Sequence, residues 1–175
     1  IEFVKRLSER GVRVVIVTNS LASTNHVAVH GHYAKYRKRL IEAGAEMYEI
    51  RAVVELDETG WGHTPERVTM HSKATFVDRD TAFVGSMNFD PRSVFLNTEM
   101  GIFIESAELG GPFTEKALAL LPEVAYRVTL DDRGELLWTF DNGEEREVWH
   151  KDPQTSWGRR FKAGFYGVLP IEEQL

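Results

Sequence analysis

At 175 residues, with 42% hydrophobic and 27% charged, the chain is long enough for one globular domain with a sizeable core, and this composition excludes global disorder. Having no cysteine, it lacks thiol nucleophiles, disulfides and thiolate metal sites, so any chemistry falls to His, Lys, Ser, Asn or carboxylates. Its 21 basic and 27 acidic residues leave a net charge of -6, which gives no long-range attraction for nucleic acid or an anionic membrane.

In chain order, "IEFVKRLSERG" places Ile1, Val4 and Leu7 at helical spacing and ends at Gly11, a helix C-cap. "VRVVIVT" reads as a buried strand. After the polar turn "NSLASTN", Val27 to Ala43 reads as one helix that stops at Gly44. Tyr33, Tyr36 and Leu40 lie along one side of it, and "KYRKRL" forms a solvated basic face. "AEMYEI" follows as a second strand, and this alternation predicts an α/β unit with a parallel sheet. The polar, turn-rich "RAVVELDETGWGHTPER" is expected to loop over the sheet edge or a site mouth.

"VTMHSKATFVD" and "TAFVGSMN" read as strands joined by a tight turn at Arg79 and Asp80. "FDPRSVFLN" reads as a loop with one helical turn, "TEMGIFIE" as a strand, and Ala107 to Leu121 as a helix. "YRVTL", "ELLWTF" and "REVWH" alternate apolar with polar residues between "DDRG" and "DNGE", which predicts an antiparallel meander. The expected organisation is a domain over 1–124, the meander over 125–150 and an aromatic, basic tail over 151–175. No apolar run approaches the ~20 residues of a membrane-spanning helix, and no leader pattern opens the sequence.

His71 and Lys73 are two apart on a predicted strand, so both side chains leave one face of the sheet. Gly85, Ser86 and Asn88 end the next strand, where glycine permits close backbone approach and the hydroxyl and amide offer donors. If the strands pair, these groups converge at one edge. A cation, an amide and a hydroxyl around an imidazole suit a phosphodiester: the donors hold nonbridging oxygens, while the imidazole attacks phosphorus or protonates a leaving oxygen. Asp78, at an odd offset from His71 and at a turn entry, reads equally as a turn-capping residue. Glu99, on the next strand, is expected to bond the far ring nitrogen of His71 and fix its tautomer.

His71, Lys73 and Asp78 in the pattern H-x-K-x4-D, followed by Gly85-Ser86-x-Asn88, resemble the HKD motif of the phospholipase D superfamily. In a chain of this composition the three-residue pattern arises by chance roughly 0.01 times. The run "GSMNFDPRSVFLNTEMGIFIES" is similar to bacterial cardiolipin synthases, and "TNSLASTNHVAVHGHYAKYRKRLIEAGAEMYEI" and the tail are most similar to their C branch. The resemblance implies a phospholipase D-like mixed sheet flanked by helices, with the β meander appended. It implies two HKD motifs per active site, one histidine carrying the phosphatidyl group and the other serving as acid and base, without metal or cofactor.

Only one motif is present here, and the chain opens in what reads as mid-helix. We therefore expect the C-terminal half of a two-motif protein, or a dimer of two copies, with His71 as acid and base. Lys73, Ser86 and Asn88 would bind phosphate, and Asp78 and Gly85 would support the motif. The implied partners are a phospholipid, phosphatidylglycerol or phosphatidylethanolamine, the N-terminal half or a second copy, and peripheral contact with a bacterial cytoplasmic membrane. A nuclease-type phosphodiesterase and a non-catalytic head-group-binding half are the alternatives.

Thr18, Asn19 and Ser20 end the first strand, where open α/β sheets place ligands, and read equally as site rim or helix-cap residues. His30 either lines the site or packs in its helix. His26, His32, His63 and His150 are expected at solvated positions. Trp157, Phe161, Phe165 and Tyr166 interleave with Arg159, Arg160 and Lys162, which suits either an anionic bilayer or packing on the chain's own domain.

Overall fold

The computed structural model describes residues 1–54 and 66–171, so most of the loop expected near Arg51–Arg67, with His63, lies outside the described residues. The elements in order are α1 (Glu2–Glu9), β1 (Val14–Asn19), α2 (Val27–Ala34), α3 (Arg37–Glu42), β2 (Ala45–Ile50), β3 (Val53–Val54), β4 (Glu66–Arg67), β5 (Lys73–Val77), β6 (Thr81–Gly85), α4 (Pro91–Phe95), β7 (Gly101–Glu105), α5 (Ala107–Val124), β8 (Ala125–Leu130), β9 (Leu136–Asp141), β10 (Arg146–Trp149) and α6 (Trp157–Val168). The chain divides into two units, Ile1–Met70 with Leu121–Leu169 and a second built around His71–Leu120, and each is described by itself.

The first unit holds a five-stranded mixed sheet of order β1-β2-β8-β9-β10. β1 and β2 run parallel, as the α/β reading predicts, and the meander β8-β9-β10 continues the same sheet antiparallel from β2. β1 is half-buried along its whole length rather than buried, because it lies at the sheet's edge. The core gathers on the central strands, where Met47, Tyr126, Val128, Trp138 and Phe140 are almost wholly removed from water. Aromatic and β-branched side chains pack well on such a pleated surface.

The single helix expected over Val27–Ala43 is two, α2 and α3, interrupted at Lys35 and Tyr36. The break accompanies a correction to the solvated face: Lys38 and Arg39 are exposed, but Arg37 is only 3% exposed. A buried guanidinium is tolerated only when it is paired, and Arg37 is paired twice. Its Nε donates to Glu49 Oε1 at 2.7 Å and one NH2 donates to Asp152 Oδ1 at 2.7 Å. Burial opposes its charge, but the two carboxylates outweigh that and hold its pKa above the usual value.

Glu49, with no exposed surface, also accepts from Tyr33 Oη at 2.9 Å and Trp138 Nε1 at 3.0 Å. Burial pushes the Asp152 carboxyl up, but His30 and Arg37 outweigh it and hold it at about 2. His32 is a second correction: it is buried, with Nδ1 3.0 Å from Lys35 Nζ, because α2 is covered on that side. His26 and His150 are exposed, as expected.

The tail forms a helix, α6, capped by Ser156, whose Oγ accepts from Arg159 N at 3.2 Å. It packs on α2 through small residues: a Cβ on Gly167 would stand 2.8 Å from Gly31 O, and one on Gly31 would collide with Ala163 O. Arg159 reinforces this joint by donating to Leu21 O at 2.7 Å and Thr24 O at 2.5 Å.

The second unit holds the antiparallel sheet β5-β6-β7. Phe76 stacks on Phe113 of α5 at 4.8 Å, and Phe83 packs on Phe103 at 4.9 Å. The β5–β6 turn falls one residue earlier than expected. Asp78 and Arg79 occupy its centre with φ of 49° and 65°, and Asp80 N donates to Val77 O at 3.3 Å. Positive φ at both central positions is the type I′ geometry that matches strand twist, and Asp tolerates it better than most residues.

Candidate functional site

In an antiparallel three-stranded sheet the start of the first strand, the end of the second and the start of the third share one end. In the second unit that end carries the motif: Lys73, Gly85 and Gly101 stand in one cross-strand row. His71 precedes β5, Ser86 and Asn88 follow β6, and Glu99 precedes β7. Gly85 is required by closeness: a Cβ there would lie 2.6 Å from Met100 O and 2.9 Å from Gly101 Cα.

His71 lies two residues before the strand rather than on it, yet the expected pairing forms. Lys73 Nζ is 3.1 Å from His71 Nε2 and donates to His71 O at 2.9 Å. An ammonium only donates, so in this contact Nε2 can act only as the acceptor. The imidazole is exposed and Lys73 half-buried. Asn88 is exposed, and its side chain makes no hydrogen bond among the described residues.

Glu99 differs from expectation in its partners. Its Oε2 accepts from Ser86 Oγ at 2.5 Å and its Oε1 from Asn97 Nδ2 at 3.2 Å, and no hydrogen bond joins it to His71 among the described residues. The Ser86 hydroxyl, then Asn97, Ser93 and the Lys73 charge, hold the Glu99 carboxyl below its usual range. Ser86 is tied further to β7: Met100 N donates to Ser86 Oγ at 3.1 Å, and Ser86 N donates to Met100 O at 2.8 Å.

Asn97 was missed in the sequence. Its signal is the i, i+2 spacing to Glu99 just ahead of a strand. Asp78, at the far end of β5 from Lys73, occupies the turn.

In the first unit, Asn19 and Ser20 stand at the carboxyl end of β1. Ser20 is fully buried, and its Oγ accepts from Ser23 N at 3.2 Å within the turn. Asn19 Nδ2 donates to Met70 O at 2.7 Å, and Asn19 Oδ1 accepts from Met70 N at 2.8 Å. His30 is 4% exposed and belongs to the buried network, with Nε2 2.6 Å from an Arg37 NH2.

Residues 1–120 match the family described as cardiolipin synthase, PLD-like domain. The chain is 35% identical over 170 residues to cardiolipin synthase C of Escherichia coli (strain K12), covering 95% of this chain and 36% of that protein. It is 27% identical over 180 residues to an uncharacterized protein of Helicobacter pylori (strain ATCC 700392 / 26695), covering 97% of this chain and 33% of that one. Against cardiolipin synthase A of Buchnera aphidicola subsp. Baizongia pistaciae the identity is 24% over 146 residues, covering 82% of this chain and 24% of that protein. The chain thus spans about a third of the length of the first two relatives. No solved structure matches the chain significantly.

Proposed function

Because the chain belongs to the cardiolipin synthase, phospholipase D-like family, we propose that it supplies one of two histidines to a phospholipase D-type phosphatidyltransferase that makes cardiolipin. The observation that carries this reading is the Lys73 ammonium on the His71 imidazole, at the same sheet end as Ser86, Asn88 and Glu99.

In the first half-reaction a histidine of the other HKD half attacks phosphorus of a phosphatidylglycerol or phosphatidylethanolamine. The bond from phosphorus to the head-group oxygen breaks, and His71 gives that oxygen its proton. In the second, the hydroxyl of a phosphatidylglycerol attacks the phosphohistidine, the P–N bond breaks, and His71 takes the hydroxyl proton. Lys73 and Asn88 hold the nonbridging oxygens, whose charge grows at each transition state. Glu99, charged and bonded to Ser86 and Asn97, keeps the Ser86 hydroxyl at this edge.

The test is the full-length protein on phosphatidylglycerol vesicles, with cardiolipin and glycerol as expected products. Hydrolysis of DNA without cardiolipin would replace this reading with the nuclease one, which the net charge of -6 disfavours.

The substrate also requires access to a bilayer surface. Among the described residues no helix is long and apolar enough to cross a membrane. Peripheral contact is supported by α6, which turns Ala163 and Gly167 toward the domain and leaves Trp157 at 75%, Phe161 at 63%, Phe165 at 54% and Val168 at 79% exposure, beside Lys162. Rings and cations in this arrangement suit the head-group layer. We expect the full-length double variant Trp157→Ala, Phe161→Ala to cosediment several-fold less with phosphatidylglycerol vesicles; undiminished binding removes this contact. Point changes are the informative choice, since deleting α6 would strip the cover from α2.

A further inference from the structure

We infer that the first unit carries a phosphate-binding pocket built on Arg159, a site that uses none of the motif residues. The pocket has a volume of about 370 Å³ and a mainly polar lining, with Ser23, Thr24, Asn25, Thr69 and Arg159 among its walls. Its size is that of a small-molecule site, ~300–1,000 Å³, and its lining suits a charged ligand rather than an apolar one.

The half-buried Arg159 guanidinium donates through Nε to Leu21 O at 2.7 Å and through an NH2 to Thr24 O at 2.5 Å, both uncharged carbonyls. Among the described residues it pairs with no carboxylate, and none lines the pocket. The other inward arginines differ: Arg37 meets Glu49 and Asp152, and Arg51 meets Glu147. A cation partly withdrawn from water is stabilised by an anion, and Arg159 has the charge without the partner.

The two carbonyls also fix the plane of the guanidinium. Two of its five N–H donors are used in this way, and the others remain for a ligand. Thr24 Oγ1 accepts from His26 N at 3.1 Å but donates to nothing among the described residues, and the exposed Asn25 amide makes no hydrogen bond among them. Fork, hydroxyl and amide around one cavity meet an oxyanion from several directions, which suits a tetrahedral phosphate better than a flat carboxylate. Thr24 and Asn25 come just ahead of α2 and Arg159 lies in the first turn of α6, so both helix starts add positive potential in the same sense.

Arg159 takes no part in the bilayer contact of α6. It stands two residues from both Trp157 and Phe161, about 200° around the helix from each, on the side that meets the Leu21 and Thr24 carbonyls. The ligand is a phosphate mono- or diester, carried either by a lipid head group or by a soluble molecule.

Hydrogen exchange of the full-length protein reads the pocket locally, at the amides of residues 21–26 and 157–160. Three probes are compared at matched ionic strength: potassium chloride, inorganic phosphate, and short-chain phosphatidylglycerol dispersed below its micelle concentration. Slowed exchange at both stretches is expected with phosphate or with the lipid and not with chloride, and the probe with the lower midpoint identifies the source. Asn25→Asp puts a carboxylate in the pocket without removing a bond of the fold, and is expected to raise that midpoint about tenfold or more at unchanged Tm. Arg159→Gln is expected to abolish the protection; Asn25→Asp keeps the test decisive if that change loosens the joint between α2 and α6. Lys73→Ala is expected to respond as wild type, so the inference stands or falls apart from the reading of the motif. Protection by neither probe, a wild-type midpoint in Asn25→Asp, or protection lost in Lys73→Ala overturns it.

Discussion

Full-length protein carrying His71→Ala is expected to lose about 10²–10⁴-fold in phosphatidyl transfer, the range that one positioned general acid and base contributes. On the proposed mechanism the loss falls on both half-reactions, because the group proposed to give the leaving oxygen its proton is the one proposed to take the proton of the attacking hydroxyl. It also falls on chemistry alone. His71 is exposed, and its contact is with Lys73 two residues away, so the fold loses almost nothing with the ring. Thermal unfolding within a degree or two of wild type, with cardiolipin output reduced by at least 100-fold, is the result that fits. Wild-type output from the folded variant would remove His71 from the mechanism.

Arg37→Leu is expected to destabilise the protein by about 3–5 kcal/mol, because it leaves buried carboxylate charge without its cation. Glu49 has no exposed surface and would keep only the Tyr33 and Trp138 donors, while Asp152 would lose the guanidinium that helps hold its pKa at about 2. Its neighbour on the same helix provides the contrast. Lys38 is exposed, and Lys38→Leu is expected to change stability by about 0.5 kcal/mol or less. Denaturant unfolding of the two full-length variants decides the matter, and equal effects would show that the Arg37 network contributes nothing beyond a surface charge.

That contrast also marks where the sequence stops being legible. "KYRKRL" has the composition of a solvated face, and nothing local separates Arg37 from Lys38. What separates them is a glutamate 12 residues on and an aspartate 115 residues on, and no periodicity reports such a pairing. The tail escaped for a different reason. Its glycines and aromatics have weak helix propensity, and α6 forms because Ser156 caps it and two glycines let it lie close on α2.

The parallel β1–β2 pair and the β8-β9-β10 meander were readable because their cues are local: period-2 alternation, short connections and glycine turns. At the site, the His71–Lys73 pairing was readable from an i, i+2 spacing. The choice of Glu99 between His71 and Ser86 was not, since it depends on how β6 and β7 register.

The hairpin gives the spacing of the motif a meaning as a length. β5 begins at Lys73 and ends at Val77, and Asp78 opens the turn, so the four residues between lysine and aspartate are the rest of one strand. Because the turn sets Val77 opposite Thr81, counting back along the ladder delivers Lys73 opposite Gly85. The aspartate serves as the zero mark of a ruler whose other end is the ammonium. One residue inserted between them would slip the ladder and send the Lys73 side chain to the face of the sheet opposite the one it now occupies.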